Sequence, residues 1–161
     1  MEEQMKVSRA ITRLVVKHPF FGSIALSLRV SPDTSISTMC TDGKSILWNP
    51  SFVDGMDQEE TVGVMAHEVL HVTFKHMLRR GKRDHMLWNI ACDFAINSIL
   101  IDAGFKLPEF ALNDQEYKGL SAEAIFDRLP PDAVEKYGGG SGLGEVSDAT
   151  DGKGNAPSEA E

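Results

Sequence analysis

The chain has 161 residues, 42% of them apolar, enough to bury one sizeable core and consistent with one domain. A formal net charge of −8 and a pI near 5.1 give it no electrostatic reason to bind nucleic acid or an anionic membrane. Two cysteines, Cys40 and Cys92, make no disulfide framework and fit a reducing, cytoplasmic compartment.

Residues 3 to 17 place Ile11, Leu14 and Val15 at helical spacing, and His18-Pro19 ends that segment. Phe20 to Leu28 imitates a signal-peptide core, but it lies behind Glu2 and Glu3 and no cleavage site follows before Arg29. No apolar run approaches the roughly 20 residues that span a bilayer. Gly22 to Val30 reads as a strand, Ser31-Pro32-Asp33 as a turn, and Ser35 to Thr41 as a second strand. Asp42-Gly43 is a hairpin signal leading to a third strand, Lys44 to Trp48, which ends at Asn49-Pro50. The expected sheet is small and largely antiparallel.

Asp57, with Glu60 three residues later, predicts a capping box, and the helix it opens should run to about Arg80, before Gly81. The basic residues Lys75, Arg79, Arg80, Lys82 and Arg83 sit where a helix C-terminus favours cations. A second helix spans roughly Leu87 to Ala103, and Ser121-Ala122-Glu123 opens a short one that stops before Pro130-Pro131. Residues 1–137 then form the domain. Residues 138–161, rich in Gly and Asp with few large apolar side chains, read as a flexible linker or tail.

The chemistry-bearing motif is His67-Glu68-Val69-Leu70-His71, an H-E-x-x-H pattern. Histidines four apart stand about 40° apart on a helix, so both imidazoles can reach one zinc ion. Glu68 is then close enough to take a proton from the attacking water without ligating. The helix is apolar nearly all round, and buried imidazoles and a carboxylate need partners, which a metal supplies. The bland alternative is a pair of hydrogen-bonded histidines. His76, about 140° from His71 round the helix, falls with the core residues and reads as a packed or hydrogen-bonded histidine, with ligation as the alternative. His85 could reach the site only if its loop folds back.

On the second helix Asn89, Asp93 and Asn97, four apart, form one polar stripe in an apolar sequence. Asp93 is the preferred third ligand, and the alternative is that it holds a ligand imidazole by a hydrogen bond. Asn89 and Asn97 read as orienting groups. Tyr117 and His85 are candidate oxyanion stabilisers, and Lys44 to Trp48 a candidate edge strand for aligning a peptide.

Thr41-Asp42-Gly43 through Asn49-Pro50, the His67 to His71 motif, Trp88-Asn89-Ile90-Ala91-x-Asp93 and Leu120-Ser121-Ala122-Glu123 together resemble a predicted metallopeptidase domain common in bacteria and their phages. The resemblance covers roughly residues 5 to 130. It implies an α+β, zincin-like fold and peptidase activity. It also implies a following von Willebrand factor A-like domain and a MoxR-type (AAA+) ATPase as partners. A looser similarity to the gluzincins puts Asn89 where that family has a ligating glutamate and Asp93 where it has an aspartate, so either Asp93 ligates or two histidines act alone. The expected function is zinc-dependent hydrolysis of peptide bonds, one zinc per chain, with Glu68 as general base. The rival is a catalytically silent, metal-stabilised interaction module; a hydrolase for non-peptide amides is a third option.

Overall fold

The computed structural model describes residues 1–138 and a two-residue strand at 145–146. The predicted linker therefore lies outside the described residues, apart from Gly138 and that strand. Helix α1 (Glu2–Lys17) is amphipathic and buries Val7, Ala10 and Leu14. Pro19 then starts a second helix, α2 (Pro19–Ser27), at a position where its missing N–H costs nothing. This corrects the strand expected from Gly22 to Val30, of which only β1 (Arg29–Pro32) is extended. The run is apolar without a clean period, so packing decides it. A Cβ on Gly22 would lie 2.4 Å from Val15 Cα, so the glycine lets α2 press against α1.

Strands β2 (Met39–Thr41) and β3 (Ser45–Trp48) form the expected hairpin, with Met39 opposite Trp48 and Thr41 opposite Ile46. The Asp42 carboxylate accepts the Lys44 and Ser45 amides at 2.9 and 2.8 Å, and Gly43 takes φ 92°, which suits a residue without Cβ. Of the predicted Ser35 to Thr41 strand only the last three residues pair, and the turn comes at Asp33 to Ser35 rather than across Pro32. β1 pairs with β3 in parallel, Val30 opposite Ile46, so the sheet is mixed rather than largely antiparallel. With β4 (Glu145–Val146) the order is β1-β3-β2-β4. β3 is thus interior, and the predicted substrate-aligning edge is no edge.

Asn49 caps α3 (Pro50–Asp54), accepting the Phe52 amide at 3.2 Å and donating to Ile36 O at 2.7 Å. Asp57 and Glu60 form the predicted capping box of α4 (Gln58–Thr73), in which every residue from 61 to 71 is buried. A short α5 (His76–Arg79) precedes α6 (His85–Asp102), whose Asp84 cap accepts the Leu87 amide at 3.0 Å. After a 3-10 turn at Gln115–Tyr117 come α7 (Ala122–Arg128), capped by Ser121, and α8 (Ala133–Tyr137).

The fold is α+β, mostly helical. Among the described residues two apolar clusters fill it. One joins α1, the sheet and α4 through Leu14, Met39, Ile46, Trp48 and Met65. The other joins α6 to α7 through Trp88, Phe94, Tyr117 and Ile125. Each fully buried large side chain contributes about 1.5–3 kcal/mol relative to exposure. Among the described residues, no helix is long and apolar enough to cross a membrane.

Candidate metal centre

Helix α4 carries His67 and His71 one turn apart, and α6 brings Asp93 against both. The two imidazole Nε2 atoms are 2.9 Å apart, and Asp93 Oδ1 lies 3.2 Å from each. For ligand bonds of about 2.0–2.1 Å, the edge of a tetrahedral zinc site is about 3.3 Å. The three atoms are therefore already close to one face of such a tetrahedron. His67 donates its Nδ1–H to Asn97 Oδ1 at 2.7 Å, while Asn97 Nδ2 donates to Leu112 O at 2.9 Å. An amide oxygen can only accept, so the His67 proton sits on Nδ1 and its Nε2 offers a lone pair to the centre.

Glu68 is fully buried, and neither of its oxygens has a hydrogen-bond partner. Asp93 Oδ1 is also buried and without a hydrogen-bond partner. Burial, and then the neighbouring Asp93, push the Glu68 carboxyl well above the usual range. Burial and His67 pull the His71 pKa down to about 4 against an opposing pull from Asp93. His76 is lowered to about 2 by burial, with His71 and Arg79 adding to it. A buried carboxylate oxygen without a partner is costly. Two such groups beside two imidazoles form a donor set that one divalent cation would satisfy. The residues fit a metal.

The family model described as "Putative metallopeptidase domain" matches residues 2–160. The chain belongs to that family. No curated protein and no solved structure matches it.

In this member of the family His76 does not lie where a continuous helix would carry it. α4 was expected to continue to Arg80, but it stops at Thr73, and Lys75 turns the chain through the left-handed region at φ 54°. His76 then swings back, and its Nδ1 lies 3.0 Å from His71 Nδ1. Cys92, one residue before Asp93, also has its sulfur among these groups: the donor atoms of His71, His76 and Cys92 lie within 4.8 Å of one another. Burial pushes the Cys92 thiol far up. Sequence reasoning missed this cluster because nothing at Lys75 announces a break.

The other candidates lie elsewhere. His85 is exposed at the start of α6, and Tyr117 packs edge-on against Phe94 at 4.8 Å in the second cluster. Asn89 is only half-buried. The basic group serves internal contacts: Arg79 pairs with Glu123 and donates to Phe74 O, and Arg83 lies over the Trp88 and Phe126 rings.

Proposed function

We propose that the chain is a zinc-dependent peptidase with a zincin-like site, in which His67, His71 and Asp93 hold one zinc ion and Glu68 is the general base. One observation carries the reading. Three ligand-type atoms lie within 3.2 Å of one another, and beside them stands a carboxylate with two buried, partnerless oxygens. When bound, zinc would act as a Lewis acid toward the scissile carbonyl and the attacking water. Glu68 follows His67 by one residue, about 100° round the helix, so it stands beside the donor set rather than in it. Its carboxylate takes the proton of the attacking water and later hands it to the leaving amine. Asn97 holds His67 in the tautomer that ligates.

Glu68→Gln keeps shape and reach but removes the proton acceptor. Turnover of a peptide-library substrate should fall about 10²–10⁴-fold, with zinc content and Tm close to the parent's. Equal rates for parent and variant on a substrate that is measurably cleaved would refute the mechanism.

A second reading has its own observation. His67, Glu68 and His71 are 0% exposed and Asp93 3%, so the centre is closed in this conformation. A closed site suits a metal-stabilised module that works with a von Willebrand A-like domain and a MoxR-type ATPase. On that reading neither parent nor Glu68→Gln cleaves any peptide. Partner binding survives Glu68→Gln and is lost in His71→Ala, because the ion holds the fold.

A further inference from the structure

His71 turns its two ring nitrogens toward different neighbours, and a neutral imidazole has only one N–H. Its Nε2 belongs to the donor set, 2.9 Å from His67 Nε2 and 3.2 Å from Asp93 Oδ1. If that nitrogen offers its lone pair to an ion, the proton sits on Nδ1, which lies 3.0 Å from Nδ1 of His76. His76 must then accept there and carry its own proton on Nε2.

We propose that His76 is a positioning residue of the metal centre: it accepts the Nδ1–H of His71 and so fixes the tautomer and ring plane in which His71 presents Nε2. The proposal rests on the ligand set above and adds to it a residue that does not ligate.

The backbone, two ring contacts and an indole hydrogen bond hold His76 in place for this. The left-handed φ of 54° at Lys75 is uncommon for a residue with a side chain, and it sets His76 at the first position of α5, 1% exposed. Trp88 Nε1–H donates to the His76 carbonyl at 2.9 Å. The His76 ring stacks on Phe74 at 5.7 Å and meets the Trp88 ring edge-on at 5.9 Å. One turn later Arg79 is anchored to Glu123 of α7. On the other side of the centre Asn97 accepts the Nδ1–H of His67 at 2.7 Å, so each imidazole on α4 has an acceptor at its outer nitrogen. Such partners raise ligand basicity and hold the ring in register with the ion. A residue that only filled space would need no nitrogen aimed at His71.

The test is zinc affinity, measured by competition with a chromophoric chelator on the parent, His76→Phe and His76→Gln. Phenylalanine keeps a ring between Phe74 and Trp88 but accepts nothing, and should weaken binding about 10–100-fold. Glutamine offers an oxygen and should recover most of that loss. No loss in His76→Phe, or equal loss in both variants, overturns the proposal. Should the variants fail to fold, the zinc-loaded parent decides through the nitrogen-15 shifts of its imidazoles. The expected pattern is Nδ1 protonated in His71 and unprotonated in His76; the reverse overturns it. An intense sulfur-to-cobalt absorption band in the cobalt-loaded parent would put the ion beside Cys92 and His76, and would also overturn it. A parent that takes up no metal removes the ligand set itself, and this role with it.

Discussion

Gly63→Ala sets two opposing effects against each other in the helix that carries the site. Alanine is the better helix former by about 1 kcal/mol, and on propensity alone the variant should be more stable. Packing says otherwise. A Cβ at position 63 would stand 2.0 Å from Lys106 O, 3.0 Å from Lys106 C and 3.3 Å from Leu107 Cδ2. Relieving the first contact needs a shift of more than about 1 Å, since non-bonded heavy atoms rest at roughly 3.5 Å. What must move is backbone. Beside it the Phe105 ring packs against His18 and Phe21 at 4.6 and 5.3 Å, and Lys106 pairs with the Asp57 cap. Overpacking of this kind costs about 1–3 kcal/mol, and a clash with main chain belongs at the upper end. Less the propensity gain, the variant should lose about 2 kcal/mol, or about 4–8 °C in Tm for a chain of this size. Urea unfolding followed by circular dichroism measures it directly. Gly63 also lies one turn before His67, and the displaced segment leads to Leu112, whose carbonyl holds Asn97. Zinc affinity should therefore fall as well. A variant as stable as its parent, or more so, would show that α4 does not lie as close to the 105–107 segment as this structure has it.

Asp93→Ala should weaken zinc binding far more than Asn97→Ala, whose loss should stay within about 10–100-fold; equal losses in a chelator titration would remove Asp93 from the ligand set. Chelation should lower Tm: zinc at 100 times its Kd contributes about 2.7 kcal/mol, or about 5–10 °C, and an unchanged Tm with and without EDTA would mean that no ion is bound. The Arg79 hydrogen bond holds the Glu123 carboxyl below its ordinary 4.5, against opposing partial burial. Its contribution is thus fully present above pH 4.5 and is lost as pH falls through the lower folded value. Glu123→Gln should flatten that acid limb of the Tm–pH curve slightly, and less in high salt, because the pair is about one-third exposed.

What was legible in the sequence was whatever one local rule could decide. Asp57 with Glu60, Asp42-Gly43 and the four-residue spacing of Asn89, Asp93 and Asn97 each encode their geometry within a turn or two, and the structure reproduces each. The failures are non-local. Gly22 to Val30 looks extended until α1 lies beside α2 and Gly22 allows close crossing. β3 looked like an edge because its parallel partner β1 precedes it by a whole hairpin. His76 is packed and hydrogen-bonded as expected, but its place beside His71 escaped a wheel that assumes an unbroken helix, because a lysine gives no sign of a left-handed turn.

The donor atoms come from two helices, and α6 enters both apolar clusters, one through Ile96 and Leu100 and the other through Trp88 and Phe94. α4 packs with α1 and the sheet, whereas Cys92 and Phe94, flanking Asp93, belong with Trp88 and Ile125. Glu123 and Arg79 give these two halves a partly exposed link, and the aspartate–histidine junction gives them a buried one. An ion held at that junction would tie α4 to α6 more firmly, because neither helix could draw away without giving up a ligand. Loaded protein should unfold in a single transition. Without an ion the buried oxygens of Glu68 and Asp93 keep their lack of partners, and this junction should open more readily.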